Sequence, residues 1–479
     1  MRRHVLAALL CAAAIAALAQ GAALPMRPEQ LPRPVSLTFT PPQVIRETLP
    51  GGMTLLMLPD HALPLVKLYA LIKAGSIYDP PDKKGLAEIA GAALGTSGSA
   101  QYPADKMQET LEALAAQLQT SIGEEYGQVS LDLLSKDLPT GLPIFADLLM
   151  HPAYAEDKLS LEKTRAIEDL KRQSEEPWLI TEIETKKVLY GSDSPWARTP
   201  QAKDIEKITR EDVLAFHRRY FLPSNTTLAA AGDFDPNRLS QEVRKLLGGW
   251  PGRKADFPPV APAPEEDKPA VVIMDKPDLT QATIFVAELT GKRGRGETFN
   301  QDRYAMDVMN FILGGGGFTS RLTKEIRSNR GLAYSVGSQY SFSTDRGPFA
   351  ARCQTGIGTA GEATALIRDA LKAMTEKPPS EEEVALAKES LINVFVFSYQ
   401  NAGRIVYQSG AQDFYGFPKD YMATYPDRIR KITADDCLKV AQEYLHPEKM
   451  VYFVLGPAQK LKEPMQTFGP VEVKPLPEP

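Results

Sequence analysis

The residues best equipped for chemistry are Arg327 and Tyr334, seven positions apart (334 − 327) within Gly314–Val336, GGGGFTSRLTKEIRSNRGLAYSV. A guanidinium offers several N–H donors to carbonyl oxygens, and a phenol can donate toward an oxygen that is gaining negative charge. On residue types alone, a surface arginine on a helix and a strand tyrosine packed at an edge are the simpler account of the pair. The run Gly314–Gly317 frees the backbone from Cβ constraints, either for a sharp turn or for close approach to another backbone. It is no phosphate loop, because Gly317 is followed by Phe318 and Thr319 instead of the lysine and hydroxyl that such a loop requires.

Leu322, Ile326 and Arg330 recur at helical spacing, Gly331 follows as a C-cap, and Tyr334–Tyr340 has the alternation of a strand. The pair therefore spans a helix-to-strand junction behind a glycine loop. Upstream, strands are predicted at Thr54–Leu58, Leu65–Ile72 and Gly127–Leu133. Helices are predicted at Gly85–Leu94, Ala155–Gln173 and Leu179–Tyr190. A further helix from Pro103 would put Met107, Leu111, Leu114, Ala115 and Leu118 on one face. Ser380 before Glu381, Glu382 and Glu383 reads as a helix start favoured by the macrodipole, not as a metal site.

Ile208, Thr209, Asp212, Leu214, Tyr220, Pro223 and Gly232 recur as Ile432, Thr433, Asp436, Leu438, Tyr444, Pro447 and Gly456, all at one offset (432 − 208 = 224). Seven matches in one register mark an internal duplication of an α/β unit, and in both copies Thr caps a helix with Asp at its third position. Between the copies, residues 251–270 are rich in proline, alanine and charge and read as a semi-extended linker. The expected plan is a signal peptide at 1–19, a proline-rich extended lead at 20–45, halves at 46–250 and 271–462, and a tail at 463–479. The expected fold class is α/β (α+β), each half a mostly antiparallel sheet with helices on one face.

Composition is that of a globular chain, 43% hydrophobic and 24% charged over 479 residues. Arg2, Arg3 and His4, an apolar run to Ala16 and the small residues Ala17–Ala19 form an export signal, so a periplasmic location is expected, without stable membrane insertion. Its removal takes two arginines and leaves 53 basic against 60 acidic residues (55 − 2), with no basic patch to bind nucleic acid. Cys353 and Cys437 would remain, read as buried thiols in preference to a disulfide.

A duplicated unit with a glycine run and R-x6-Y in its second copy resembles the pitrilysin/insulinase family of zinc metallopeptidases, the inverzincins, over nearly the whole chain. The family's first copy carries H-x-x-E-H on a helix, two histidines binding zinc around a general-base glutamate. Here the G-L-A context of that motif survives as Gly85-Leu86-Ala87, but Glu88 stands at the first histidine, Gly91 at the base and Ala92 at the second histidine. Glu168 is at the distance of the distal glutamate ligand, and one carboxylate does not make a zinc site. His61, His151, His217 and His446 are scattered and offer no displaced set.

The resemblance thus implies no catalytic residue and no metal in this chain. It matches Arg327 and Tyr334 to the pair that holds the substrate backbone, with Gly315, Gly316 and Gly317 as a flexible loop beside it. It also implies a heterodimer with an H-x-x-E-H paralogue that carries the zinc and acts on an unfolded peptide added as a strand. A structural or assembly protein, or a peptide-binding protein of the cell envelope, is the alternative that the lost motif leaves open.

Overall fold

In the computed structural model, which describes residues 40–265 and 269–477, the strands of the first half are β1 (Ile45–Thr48), β2 (Thr54–Pro59), β3 (Leu65–Ile72), β4 (Gln117–Ile122), β5 (Gly127–Leu134) and β6 (Thr226–Gly232). Those of the second are β7 (Ala270–Asp275), β8 (Gln281–Leu289), β9 (Ala333–Tyr340), β10 (Pro348–Gly356), β11 (Val451–Gly456) and β12 (Val471–Pro475). The signal peptide expected at 1–19 and most of the lead lie outside the described residues. Among the described residues the strands form two six-stranded sheets, ordered β1-β2-β6-β3-β5-β4 and β12-β7-β11-β8-β10-β9. The two orders map onto each other strand for strand from β2-β6-β3-β5-β4 to β7-β11-β8-β10-β9. Pairing is mostly antiparallel; the parallel pairs are β2 with β6, β7 with β11 and β7 with β12. The strands near each centre are apolar on both faces, as at Leu55–Leu58 and Val451–Leu455, because both faces are covered.

The duplication is visible in detail. Thr209 accepts from the amide of Asp212 and Thr433 from that of Asp436, and each Asp carboxylate returns a bond to its threonine amide, at 2.8 and 2.9 Å. Both boxes start an eleven-residue helix, Arg210–Tyr220 and Ala434–Tyr444, that leads into β6 and β11.

Each half packs its own helices on one face of its sheet, giving two large cores. The opposite faces are covered by exchange. The helix Pro177–Tyr190 of the first half places Ile180, Leu189 and Tyr190 against Phe285, Ala287, Val451 and Phe453 of the second sheet. The helix Ala402–Tyr415 of the second half places Ile405 and Val406 against Leu56, Leu58, Ala229 and Ala231 of the first. These are equivalent elements (402 − 177 = 225), and each is followed by a glycine with positive φ, Gly191 and Gly416. Across the seam Tyr126 and Tyr407 share a hydroxyl hydrogen bond of 3.0 Å, and Tyr190 donates to the Arg346 carbonyl at 2.8 Å.

Three expectations change. The helix from Pro103 stops at Ala113, where Ala115 takes a φ of 50°, so Leu118 belongs to β4 and not to that helix. The 463–479 segment carries β12, a strand hydrogen-bonded along β7. The 251–264 linker has no regular structure but is pinned: Phe257 packs on Tyr78 and Tyr220, the Trp196 indole donates to the Ala261 carbonyl, and the Ala263 amide donates to Asp345.

Candidate functional site

The helix Asp302–Asn310 runs on into a π-helical turn, Phe311–Gly315, that carries the first two glycines of the run. Gly314 is required there by contact: a Cβ on it would lie 2.3 Å from the amide nitrogen of Ser338 in β9. Gly317 has a φ of 56°, which favours glycine, and the turn it begins, Gly317–Thr319, carries Phe318 into solvent. A second π-helical segment, Thr323–Asn329, follows where helical spacing predicts a helix; Leu322 and Ile326 are fully buried beneath it, and Gly331 turns the chain with a φ of 64°. β9 then starts at Ala333 and is the edge strand of its sheet.

This path brings Arg327 and Tyr334 together. The guanidinium carbon of Arg327 lies 4.5 Å from the centroid of the Tyr334 ring and 4.6 Å from that of Phe318. Tyr334 is 81% exposed and Phe318 65%, an unusual state for large aromatic side chains. Phe318 was not among the residues singled out from the sequence; an aromatic immediately after a glycine run was the available signal. Arg321, six residues before Arg327, is held by a two-point ion pair with Glu383, Nε to Oε1 at 2.7 Å and Nη2 to Oε2 at 2.8 Å. That pair ties the segment to the capping box of the helix Glu381–Ser398, as the Ser380 start predicts, and the Arg321 guanidinium holds the Glu383 carboxyl down at about 2.

The first half gives its equivalent helix no such outlet. Leu86–Thr96 starts at Gly85, with a φ of 85°, and the buried Asp79 carboxylate accepts from the Gly85 and Ala87 amides. Gly91 faces β4 so closely that a Cβ on it would lie 2.4 Å from the Ile122 amide nitrogen, and Thr120 donates to the Gly91 carbonyl at 2.7 Å. The position of the base is therefore filled by strand backbone. Surrounding atoms, and then the charge of Asp169, push the Glu88 carboxyl up from the usual carboxylate range. Asp169, next to Glu168, is thus the carboxylate near Glu88; Glu168 itself is exposed, with no hydrogen-bond or ion-pair partner among the described residues.

The histidines are accounted for separately. His61 pairs with Asp233 at 2.7 Å, His151 with Asp147 at 2.9 Å and His446 with Glu288 at 3.0 Å. His217 is buried against the Leu149 carbonyl, and burial pushes its imidazole down to about 3. Among the described residues no group of three histidine, cysteine or acidic side chains could hold a metal ion. Glu88, Gly91 and Ala92 do not fit zinc, since two of the three side chains have no donor atom and one carboxylate does not make a zinc site. Cys353 and Cys437 are free, buried thiols here, as the two-thiol reading has them, and burial pushes both up to about 12.

A two-fold repeat of this topology, with an arginine–aromatic cluster in one copy and a helix without a metal-ligating set of side chains at the motif positions in the other, is the class that the geometry defines. Comparison with known proteins places it further. Residues 60–189 match the family model described as Insulinase (Peptidase family M16), and residues 207–391 match the Peptidase M16 inactive domain. The chain belongs to the pitrilysin/insulinase family, as an inactive-type member without the zinc-binding motif. It is 25% identical over 407 residues to an uncharacterized zinc protease of Streptomyces coelicolor, covering 84% of this chain and 87% of the relative. It is 22% identical over 405 residues to the non-peptidase homolog YmxG of Helicobacter pylori, covering 84% and 91%. The crystal structure of a peptidase M16 inactive domain from Pseudomonas fluorescens matches at a TM-score of 0.79 with 26% identity, over 86% of this chain and 98% of that one.

Proposed function

We propose that this chain is the non-catalytic subunit of an exported two-chain zinc peptidase, lending Arg327 and Tyr334 to the active site of an H-x-x-E-H partner. The observation that carries the reading is the exposed Phe318–Arg327–Tyr334 cluster beside the edge strand β9. Arg327 is stacked on two rings without an ion-pair partner among the described residues, and Tyr334 stands 81% exposed beside it, so both side chains are open to a ligand. An unfolded peptide laid along β9 would find backbone partners on the strand, the Arg327 donors for its carbonyls and the Tyr334 hydroxyl for an oxygen that gains charge. The zinc centre is the partner's contribution. Relatives named as zinc proteases and as a non-peptidase homolog agree with one family dividing such work.

The test is peptide cleavage by the protein mixed with an H-x-x-E-H paralogue from the same organism, against each chain alone, with and without a chelator. Activity is expected only in the unchelated mixture, and Tyr334→Phe should lower its turnover at least ten-fold, the size of effect of losing an oxyanion donor. A paralogue fully active alone and unaffected by this chain would leave a structural or peptide-binding role instead.

A further inference from the structure

The segment Arg321–Arg330, RLTKEIRSNR, holds three arginines and a lysine against one glutamate in a chain whose formal net charge is −5. Two of the arginines have carboxylates. Arg321 takes Glu383 by two parallel bonds, and Arg330 takes Glu325 at 2.7 Å and Glu362 at 3.1 Å. Glu325, the acid nearest to Arg327 in sequence, is thereby engaged, with Asn329 as a further donor at 3.0 Å. Arg327 has only the Phe318 and Tyr334 rings, and its N–H donors meet no acceptor among the described residues. Lys324, exposed on the same helical segment, has no ion-pair partner among them either.

Aromatic rings hold a guanidinium in place and shed water from it without using its hydrogen-bonding edge. A guanidinium fixed in this way, with an unpaired ammonium nearby, suits a planar two-oxygen anion better than a lone carbonyl. The acidic remainder of the chain disfavours a polyanion, whose many charges would be repelled over the screening length, but not a single carboxylate.

We propose that Arg327, steadied by Phe318 and Tyr334, selects peptides that present a carboxylate, either the C-terminal one or that of an acidic side chain. The inference rests on the peptide-binding reading given under Proposed function. It adds a preference to that reading: the ligand is anchored by charge as well as by its backbone.

The test uses the full-length protein and three dye-labelled, unstructured peptides of one neutral sequence, followed by fluorescence anisotropy. One has a free C-terminal carboxylate, one a C-terminal amide with a single internal glutamate, and one an amide with no acid. At least one carboxylate-bearing peptide is expected to bind ten-fold or more tightly than the neutral amide, and which one does so identifies the source. Arg327→Gln should erase the difference, and Arg327→Lys, which keeps charge but not the two-point edge, should restore only part of it. Equal binding of all three peptides, or a preference that survives Arg327→Gln, overturns the carboxylate inference while peptide binding stands. Binding of none of them overturns the peptide-binding reading and this inference together.

Discussion

The two halves make the same contact and use it differently. In the first, Gly91 of Leu86–Thr96 lies against the backbone of the edge strand β4; in the second, Gly314 lies against the backbone of the edge strand β9. Both contacts exclude a Cβ, at 2.4 and 2.3 Å. After Gly91 the first-half helix continues through Ala92, Ala93, Leu94 and Gly95 to Thr96, with no titratable side chain among them. Around Gly314 the helix has already passed into π-turns, from Phe311 on, and that path brings Phe318, Arg327 and Tyr334 to the surface. Losing a metal site here is therefore more than a change of ligands. The glutamate that would act as base has no room while β4 stays where it is.

The largest effect should come from trying to reverse that. Gly91→Glu is expected to destabilise the fold by about 3 kcal/mol or more, as overpacking against a backbone does, measured by chemical denaturation. Adding Glu88→His and Ala92→His should yield a protein that binds no stoichiometric zinc. Native stability with one tightly bound zinc would show that the two contacts are not equivalent. Gly314→Ala, the matching change in the second half, should cost about 1–3 kcal/mol and shift the Arg327 cluster; a loss below about 0.5 kcal/mol would mean that β9 yields where β4 does not.

Smaller, and confined to the second half, is the Arg321–Glu383 pair. Its folded-state carboxyl sits at about 2 against an ordinary 4.5, so its stabilisation is present above pH 4.5 and is lost as pH falls toward 2. Acid melts of the native protein and of Arg321→Gln should converge over that window. A constant gap down to pH 2 would remove the pair from the account. The smallest effect tests symmetry itself. Thr209→Ala and Thr433→Ala should each cost about 1 kcal/mol and agree within about 0.5 kcal/mol; a large difference would mean that the matched caps carry unequal load.

Much of this was legible in the sequence because it rests on local chemistry. The two Thr–Asp boxes, the alternation of β9, Gly331 as a turn and the Arg327–Tyr334 spacing are each set by residues a few positions apart. The fold class and family were legible too, through the repeat and the remnant motif. What could not be read depended on partners distant in the chain. Met107, Leu111 and Leu118 fit one helical face, yet Ala115 ends the helix because Leu118 pairs with Leu131 in β5. Phe318 gained its place only once Arg327 arrived beside it. The exchange of Pro177–Tyr190 and Ala402–Tyr415 left no periodicity signal of its own, since a helix buried by a foreign sheet has the same apolar pattern as one buried by its own.

That exchange has a consequence for how the chain can have come about. A half-length chain of this fold would leave one face of its sheet bare and one helix without a seat. A second copy would complete it by the same trade, giving a symmetric swapped dimer. Fusion through residues 251–264 turns that encounter between molecules into one within a molecule, at the high effective concentration of a tether. Once joined, the copies no longer had to remain alike.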